Sequence, residues 1–225
     1  MLDEFINKII HADCLEVMKK LPDKCIDLIL TDPPYGIKFG EYNRTNKTRD
    51  GVRYKANKYK NSNWDDSTPP DAVFEEMFRV SKEQIIFGGN YFPCLWKRGG
   101  KGFIFWNKNQ PVKNFADGEL AWTSFDKPAK VYNFTYYGNL EGNTTASEKI
   151  HPTQKPLQLF EKILFDYIVT PKGGGLVADF YSGSGTTAIA CHNLKLPFIC
   201  VEKDEEYYKA SCQRLKDAQA QLKLF

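Results

Sequence analysis

The sequence predicts an α/β fold built on an open, mostly parallel sheet. Two observations carry this. Apolar strand, helix and apolar strand alternate within the first thirty or so residues, and a second strand, glycine turn, helix and strand run over Leu176–Glu202 near the other end. At 225 residues the chain is long enough for one large domain with a sizeable core. Residues 1–225 therefore read as a single domain, with a basic insert at about 37–70 and a small loop region at about 138–150.

Phe5 to Ile10 reads as a short strand ending at His11-Ala12-Asp13. A helix over 14–21 follows, with Leu15, Met18 and Leu21 on one face. Ile26 to Thr31 is a buried strand. Strand, helix and strand so closely spaced form a crossover unit, so the two strands run parallel and Asp13 and Asp32 emerge at the same sheet edge. That edge, at the carboxyl ends of the strands, is where open α/β sheets place their chemistry.

The second strand runs into Asp32-Pro33-Pro34-Tyr35-Gly36. The prolines end the strand and fix the backbone. Having no N–H, they leave their carbonyls free to accept hydrogen bonds, and Asp32 adds an acceptor beside them. Two rigid acceptors suit an exocyclic amino group, and Tyr35 offers a flat face for a planar ring. The corner thus looks built for an aromatic amine such as adenine N6 or cytosine N4. The plainer alternative is a β-turn whose Asp caps backbone and whose Tyr packs.

Residues 37–70 are polar, Asn-rich and basic, with Phe39, Tyr42, Tyr54 and Tyr59 interleaved. Net charge over the chain is +3, but the stretch 38–60 alone carries +6, leaving the remainder at −3. A basic segment on a mildly acidic body suggests a polyanion contact. Arg44, Lys47, Arg49, Arg53, Lys55 and Lys58 are the candidate phosphate-binding residues, with the aromatics available for stacking. A solvated loop is the alternative.

Asp71 to Val80 has helical spacing. Ile85 to Phe87 is a strand ending in Gly88-Gly89, and Gly102 to Trp106 is the next. Leu120 to Phe125 and Lys130 to Tyr137 suggest a hairpin across Asp126-Lys127-Pro128. His151-Pro152-Thr153-Gln154-Lys155-Pro156 leads into a helix carrying Leu157, Phe160, Leu164 and Ile168. The buried strand Leu176 to Phe180 then enters Tyr181-Ser182-Gly183-Ser184-Gly185-Thr186-Thr187, followed by a helix over 186–194, a strand over 197–201 ending at Glu202, and an amphipathic helix over roughly 204–222.

Strand, glycine-rich turn, helix, strand and acid is the arrangement that holds a nucleoside-bearing cofactor. Glycines admit close backbone approach, and Glu202, 17 residues after Gly185, is placed to accept from ribose hydroxyls. The turn lacks the Gly-Lys-Ser/Thr of triphosphate sites and departs from GxGxxG. Six cysteines without paired spacing and only three histidines speak against a zinc site and for a reducing compartment, so no metal is expected. No signal-peptide pattern opens the chain and no apolar run reaches about 18 residues, so a cytoplasmic protein is expected.

DPPY, HPTQKP and DFYSGSGTT, in that order, resemble the DNA amino-methyltransferases that use S-adenosylmethionine. The order is that of the permuted class called beta, with the catalytic motif first and the glycine loop last. The resemblance covers nearly the whole chain apart from 37–70 and about 138–150. It implies a three-layer Rossmann-like methyltransferase fold with a mostly parallel seven-stranded sheet and a reversed last strand. It also implies that Asp32 and the Pro33 carbonyl, in the stiff turn completed by Pro34, hold the target amine while Tyr35 stacks on a base flipped out of the duplex. Phe180, Gly183, Ser184 and Gly185 would line the methionine part of the cofactor, with Asp179 beneath, and Asp32, Ser182 and Thr186 would also belong to the cofactor site. Glu202, next to Lys203, would take the ribose, Asp13 and Cys14 would meet the adenine, and His151, Thr153 and Lys155 would close over the carboxylate end. The partner implied is double-stranded DNA, in a bacterial or phage-encoded restriction-modification setting, and a homodimer is allowed for.

Within the resemblance, adenine N6 is favoured over cytosine N4, because the cytosine members more often carry Ser where Asp32 stands. A glutamine side-chain methyltransferase is disfavoured by the Asp and by the motif order. A DNA-binding module on a dead methylase fold is disfavoured by the intact Asp32, Tyr35, Gly183, Gly185 and Glu202. Little chain is left for a dedicated recognition region, so target choice would rest on 37–66 or the target would be short.

Overall fold

A computed structural model describes residues 2–38, 48–49, 52–53, 65–100, 102–109, 116–135, 150–151, 153–170 and 173–221. Its strands in chain order are β1 (Lys8–His11), β2 (Ile26–Thr31), β3 (Thr48–Arg49), β4 (Val52–Arg53), β5 (Ser81–Phe87), β6 (Phe103–Asn107), β7 (Gly118–Thr123), β8 (Lys130–Asn133), β9 (Val177–Asp179) and β10 (Phe198–Glu202). The helices are α1 (Cys14–Met18), α2 (Asp71–Val80), α3 (Pro93–Lys97), α4 (Leu157–Tyr167), α5 (Thr186–Leu194) and α6 (Glu205–Ala220).

Eight strands form the main sheet in the order β1-β10-β9-β2-β5-β7-β6-β8. β1, β10, β9, β2 and β5 are mutually parallel; β7 is reversed between β5 and β6, and β8 runs parallel to β6. The expected mostly parallel sheet is thus present, with an eighth strand added beyond β6 and the reversed strand set inside the sheet.

Both faces are covered, which makes three layers. Leu28, Leu30, Ile85, Phe87 and Cys200 point to one face and pack with Phe160, Ile163, Ile189 and Leu215 from α4, α5 and α6. Ile29, Ile86, Ala178, Ile199 and Val201 point to the other, against Val17, Met18, Phe74 and Met77 from α1 and α2. The period of two along buried strands leaves nearly continuous apolar runs, as parallel sheets require. Burying a large aliphatic or aromatic side chain contributes about 1.5–3 kcal/mol, so these two clusters hold the sheet between its helices.

Two expectations need correction. The hairpin across Asp126-Lys127-Pro128 does not form. β7 is already bonded on both edges, by β5 and β6, so β8 pairs with the far edge of β6 instead. There Trp106 Nε1 donates to the Phe134 carbonyl (2.9 Å) and the Tyr132 hydroxyl donates to Asp166 on α4 (2.8 Å), which pins β8 in place. The first strand begins at Lys8 rather than Phe5: Leu2–Glu4 make a 3-10 turn and Asn7 sits at φ +59°. Within the basic insert, Thr48–Arg49 pairs antiparallel with Val52–Arg53. The loop expected at about 138–150 lies outside the described residues except for Ile150, as do Arg44, Lys47, Lys55 and Lys58.

Chain crossovers run from β9 through α5 to β10 on one side and from β2 through α2 to β5 on the other. The direction reverses between β9 and β2, and a crevice opens at such a point beyond the carboxyl ends of the strands. Asp179 ends β9 and Asp32 follows β2, so both acids face it.

Candidate active site

The Asp32–Tyr35 corner is held from three sides. Asp65, buried at 1% exposure, accepts the backbone N–H groups of Tyr35 (2.8 Å) and Gly36 (2.9 Å) on one oxygen. The Tyr35 ring lies across Gly88, where a Cβ would come within 2.0 Å of the ring, and Gly88 itself has φ +68°. Both facts demand glycine. Tyr91 stacks on Tyr35 at 4.8 Å and 10°. The Tyr35 hydroxyl then donates to Asp32 Oδ1 at 2.5 Å, so ring and carboxylate are locked together.

A charge cluster surrounds Asp32. Lys155, only 6% exposed, donates to Asp32 Oδ2 and lies 3.1 Å from Glu119 Oε2, while Lys108 pairs with Glu119 Oε1 at 2.6 Å. Two ammonium groups thus balance two carboxylates, which is the condition for keeping such charges out of water. Burial works against the Lys155 ammonium, but Asp32 and Glu119 outweigh it and raise its pKa. Burial likewise opposes Glu119 ionising, yet Lys155 and Lys108 hold it at about 2. Burial pushes the Asp32 carboxyl up, with Lys155 pulling against it. Tyr35 rises well above the ordinary phenol value through burial and the adjoining carboxylates, so it remains a donor.

On the other side of the switch point the glycine turn is braced from below. Asp179 accepts from Thr31 Oγ1 (2.7 Å), Thr187 Oγ1 (2.5 Å) and the Tyr181 N–H (3.1 Å). Burial still lifts its carboxyl to about 6. Glu202 Oε2 accepts the Gly183 N–H (2.7 Å) and Oε1 the Asp204 N–H (2.8 Å), which points the carboxylate into the turn. An ionised carboxylate has about four acceptor positions, so acceptor capacity remains on both oxygens. Arg214 of α6 donates to the Ser184 carbonyl (3.0 Å) and Thr186 Oγ1 (3.1 Å), fixing the turn from behind. His151 meets Tyr207 edge-on at 4.4 Å and accepts the Thr153 N–H at 3.3 Å. Burial holds its imidazole down to about 3, so the ring is neutral at pH 7. Ser182 Oγ is buried and has no hydrogen-bond partner among the described residues.

Among the described residues, two cavities open beside Asp32. One of about 690 Å³ is lined by Asp179, Ser182, Gly183, Ser184, Thr186, Glu202, Lys203, His151 and Thr153. One of about 420 Å³ is lined by Pro33, Tyr35, Gly88, Tyr91, Lys108 and Glu119. Asp32, Thr153 and Lys155 line both. The acidic corner and the glycine pocket therefore open onto each other at Asp32. Both volumes lie within the roughly 300–1,000 Å³ usual for ligand sites.

Several expected site residues make other contacts than the cofactor roles implied for them. The Lys155 ammonium is drawn to Asp32 and Glu119, because two buried carboxylates outcompete the open cofactor side. Asp13 caps α1, accepting the Leu15 N–H at 2.9 Å, and pairs with Lys203 at 3.0 Å; it stands beside the larger cavity rather than lining it. Cys14 is buried in the core, as is Phe180 at 2% exposure, and Tyr181 takes the wall position instead. Gly185 turns to α6, where a Cβ would meet Ser211 at 3.0 Å, so its φ of +74° serves the loop-to-helix turn. Glu119, Lys108, Asp65, Tyr91 and Tyr207 were not anticipated. An acid set directly before the apolar run Leu120-Ala121-Trp122 was the available hint for Glu119.

A three-layer sheet with a nucleoside-type glycine turn and an amine-accepting corner on one crevice defines a Rossmann-like transferase. A family model described as DNA methylase, covering the N6 and N4 amino-methyltransferases, matches residues 52–213. The chain belongs to this family, whose chemistry is S-adenosylmethionine-dependent amino-methylation of DNA. Its relatives include the type II methyltransferase M.HinfI of Haemophilus influenzae, 26% identical over 96% of this chain and 70% of that one. The putative methylase YubD of Escherichia coli K12 is 27% identical over 95% of this chain and 92% of its own length. Among solved structures, the M1.HpyAVI–SAM complex superposes with a TM-score of 0.54 at 26% identity, covering 92% of this chain and 98% of that one.

Proposed function

We propose that this protein transfers a methyl group to the N6 amine of an adenine flipped out of double-stranded DNA. The observation that carries the reading is Asp32 on the wall shared by the two cavities. The larger cavity suits S-adenosylmethionine. Glu202 retains acceptor capacity for ribose hydroxyls, the Gly183–Ser184 backbone admits close approach, and unpartnered Ser182 Oγ offers a hydrogen bond. Thr153 and the neutral His151, which line the same cavity, would close over the carboxylate end. The bound cofactor supplies an electrophilic methyl group on a sulfonium.

The smaller cavity suits the target base. Tyr35 provides the stacking face, and Asp32 with the Pro33 carbonyl accepts the amine's two N–H bonds. Accepting both draws the nitrogen toward a tetrahedral shape and aims its lone pair at the larger cavity, so positioning supplies most of the rate. The base has to leave the duplex to reach this depth. Arg49 and Arg53, with Arg44, Lys47, Lys55 and Lys58, would hold backbone phosphates without reading sequence. Among the described residues no helix is long and apolar enough to cross a membrane. A cytoplasmic setting in a bacterium or an infected cell, serving restriction-modification, fits this reading.

The choice of adenine over cytosine rests on Asp32 standing where cytosine-type members more often carry Ser. Tritium-labelled S-adenosylmethionine and mixed-sequence duplex DNA, followed by digestion to nucleosides, tests it. Label in N6-methyladenine is expected. Label only in N4-methylcytosine would overturn the base assignment, and no label in any nucleoside would overturn the transfer reading itself.

A further inference from the structure

This inference rests on the transfer reading and concerns how Asp32 becomes available. Internal donors already sit on both of its oxygens: the Tyr35 hydroxyl on Oδ1 at 2.5 Å and the Lys155 ammonium on Oδ2. A neutral amine competes poorly with an ammonium for a carboxylate, because charge-assisted hydrogen bonds are roughly twice as strong. Left as it stands, the pairing would disfavour the very contact the reaction needs.

Both donors have the same second acceptor within reach. Glu119 Oε2 lies 3.1 Å from Lys155 Nζ and 3.5 Å from the Tyr35 hydroxyl. Its other oxygen is anchored by Lys108 at 2.6 Å, and its backbone is fixed in β7, bonded on both edges. Lys155 needs only to lean from one carboxylate it already touches toward the other.

We propose that Glu119 is a positioning residue for methyl transfer: it takes Lys155 and the Tyr35 hydroxyl over from Asp32 as the target amine enters, leaving Asp32 to accept the amine's N–H bonds. The exchange makes and breaks hydrogen bonds only. Two carboxylates and two ammonium groups are present before and after, so no charge is stranded in the buried cluster. Glu119 thereby acts through Asp32 and need not touch the cofactor.

The test is single-turnover methyl transfer with saturating cofactor and duplex DNA, with the affinities for S-adenosylmethionine and DNA measured separately on the same preparations. Glu119→Gln should slow transfer about 10- to 100-fold, the worth of one or two charge-assisted hydrogen bonds. Cofactor affinity should stay within about twofold, the scatter of an uncoupled site. Glu119→Asp should recover part of the rate, since it restores the charge. In a Lys155→Met background the Glu119→Gln change should cost far less, as no ammonium remains to be moved. Wild-type rate in Glu119→Gln, or a loss mirrored in cofactor affinity, would overturn the proposal. So would no recovery with aspartate, or the same factor lost in the Lys155→Met background. If the wild-type protein labels no DNA, the transfer reading fails instead, which separates the two.

Discussion

Gly88→Ala probes the acidic corner without touching its chemistry. The added Cβ would lie 2.0 Å from the Tyr35 ring, and ordinary contact begins near 3.4 Å, so the ring has to retreat by more than an ångström. A shift of that size breaks the 2.5 Å bond from the Tyr35 hydroxyl to Asp32 and opens the stack on Tyr91. Placing alanine at φ +68° costs about 1–2 kcal/mol, and overpacking adds about 1–3 kcal/mol. The sum, about 2–5 kcal/mol, is a large part of the roughly 5–15 kcal/mol that holds a domain folded. At about 2–4 °C per kcal/mol for a chain of this size, Tm should fall by about 4–20 °C. Below that Tm, losing a properly placed stacking wall, worth about 1–3 kcal/mol per base, should cut transfer about 5- to 150-fold. Cofactor affinity should be unchanged, because Gly88 lines only the smaller cavity. Differential scanning calorimetry, labelled-methyl transfer and calorimetric cofactor binding read the three quantities. A variant with wild-type Tm and rate would refute the reasoning.

Three further outcomes follow from the same geometry. Asp32→Ala should abolish methyl transfer while leaving cofactor binding nearly intact; equal loss of both would contradict the division between the two cavities. The Asp179 carboxyl is lifted by burial to about 6 from an unfolded value of 3.8, so its contribution to stability is fully present below about pH 4 and lost as pH rises through 6. Wild type should therefore gain up to about 3 kcal/mol relative to Asp179→Asn between pH 7.5 and pH 4, read from urea midpoints at each pH, and parallel curves for the two proteins would count against it. DNA affinity should fall steeply with salt, with a shallower slope when Arg49, Arg53 and Lys55 are neutralised; a flat salt response in the wild type would remove the basic segment from the interface.

The parts of this site legible in the sequence are those whose geometry is local. Asp32 followed by two prolines, and Ser182 to Thr186 between a buried strand and a helix, are placed by their neighbours in the chain. Glu119 and Asp65 are placed by tertiary structure: the first by insertion of β7 between β5 and β6, the second by chain return beneath the Tyr35 turn. No short window encodes either. Lys155 lay in a recognisable motif, yet the direction of its long side chain is decided by two carboxylates contributed by β7 and the end of β2. The hairpin expected between β7 and β8 failed for the same reason: a period-two pattern specifies a strand and not its partner, and β8 pairs with β6.

The most direct measurement is a crystal structure with a non-transferring cofactor analogue and duplex DNA bound. An analogue in the glycine-lined cavity, with the amine of an extruded adenine hydrogen-bonded to Asp32 and its ring on Tyr35, is the predicted result. A base lodged away from Tyr35, or an analogue outside the crevice between β9 and β2, would contradict the account.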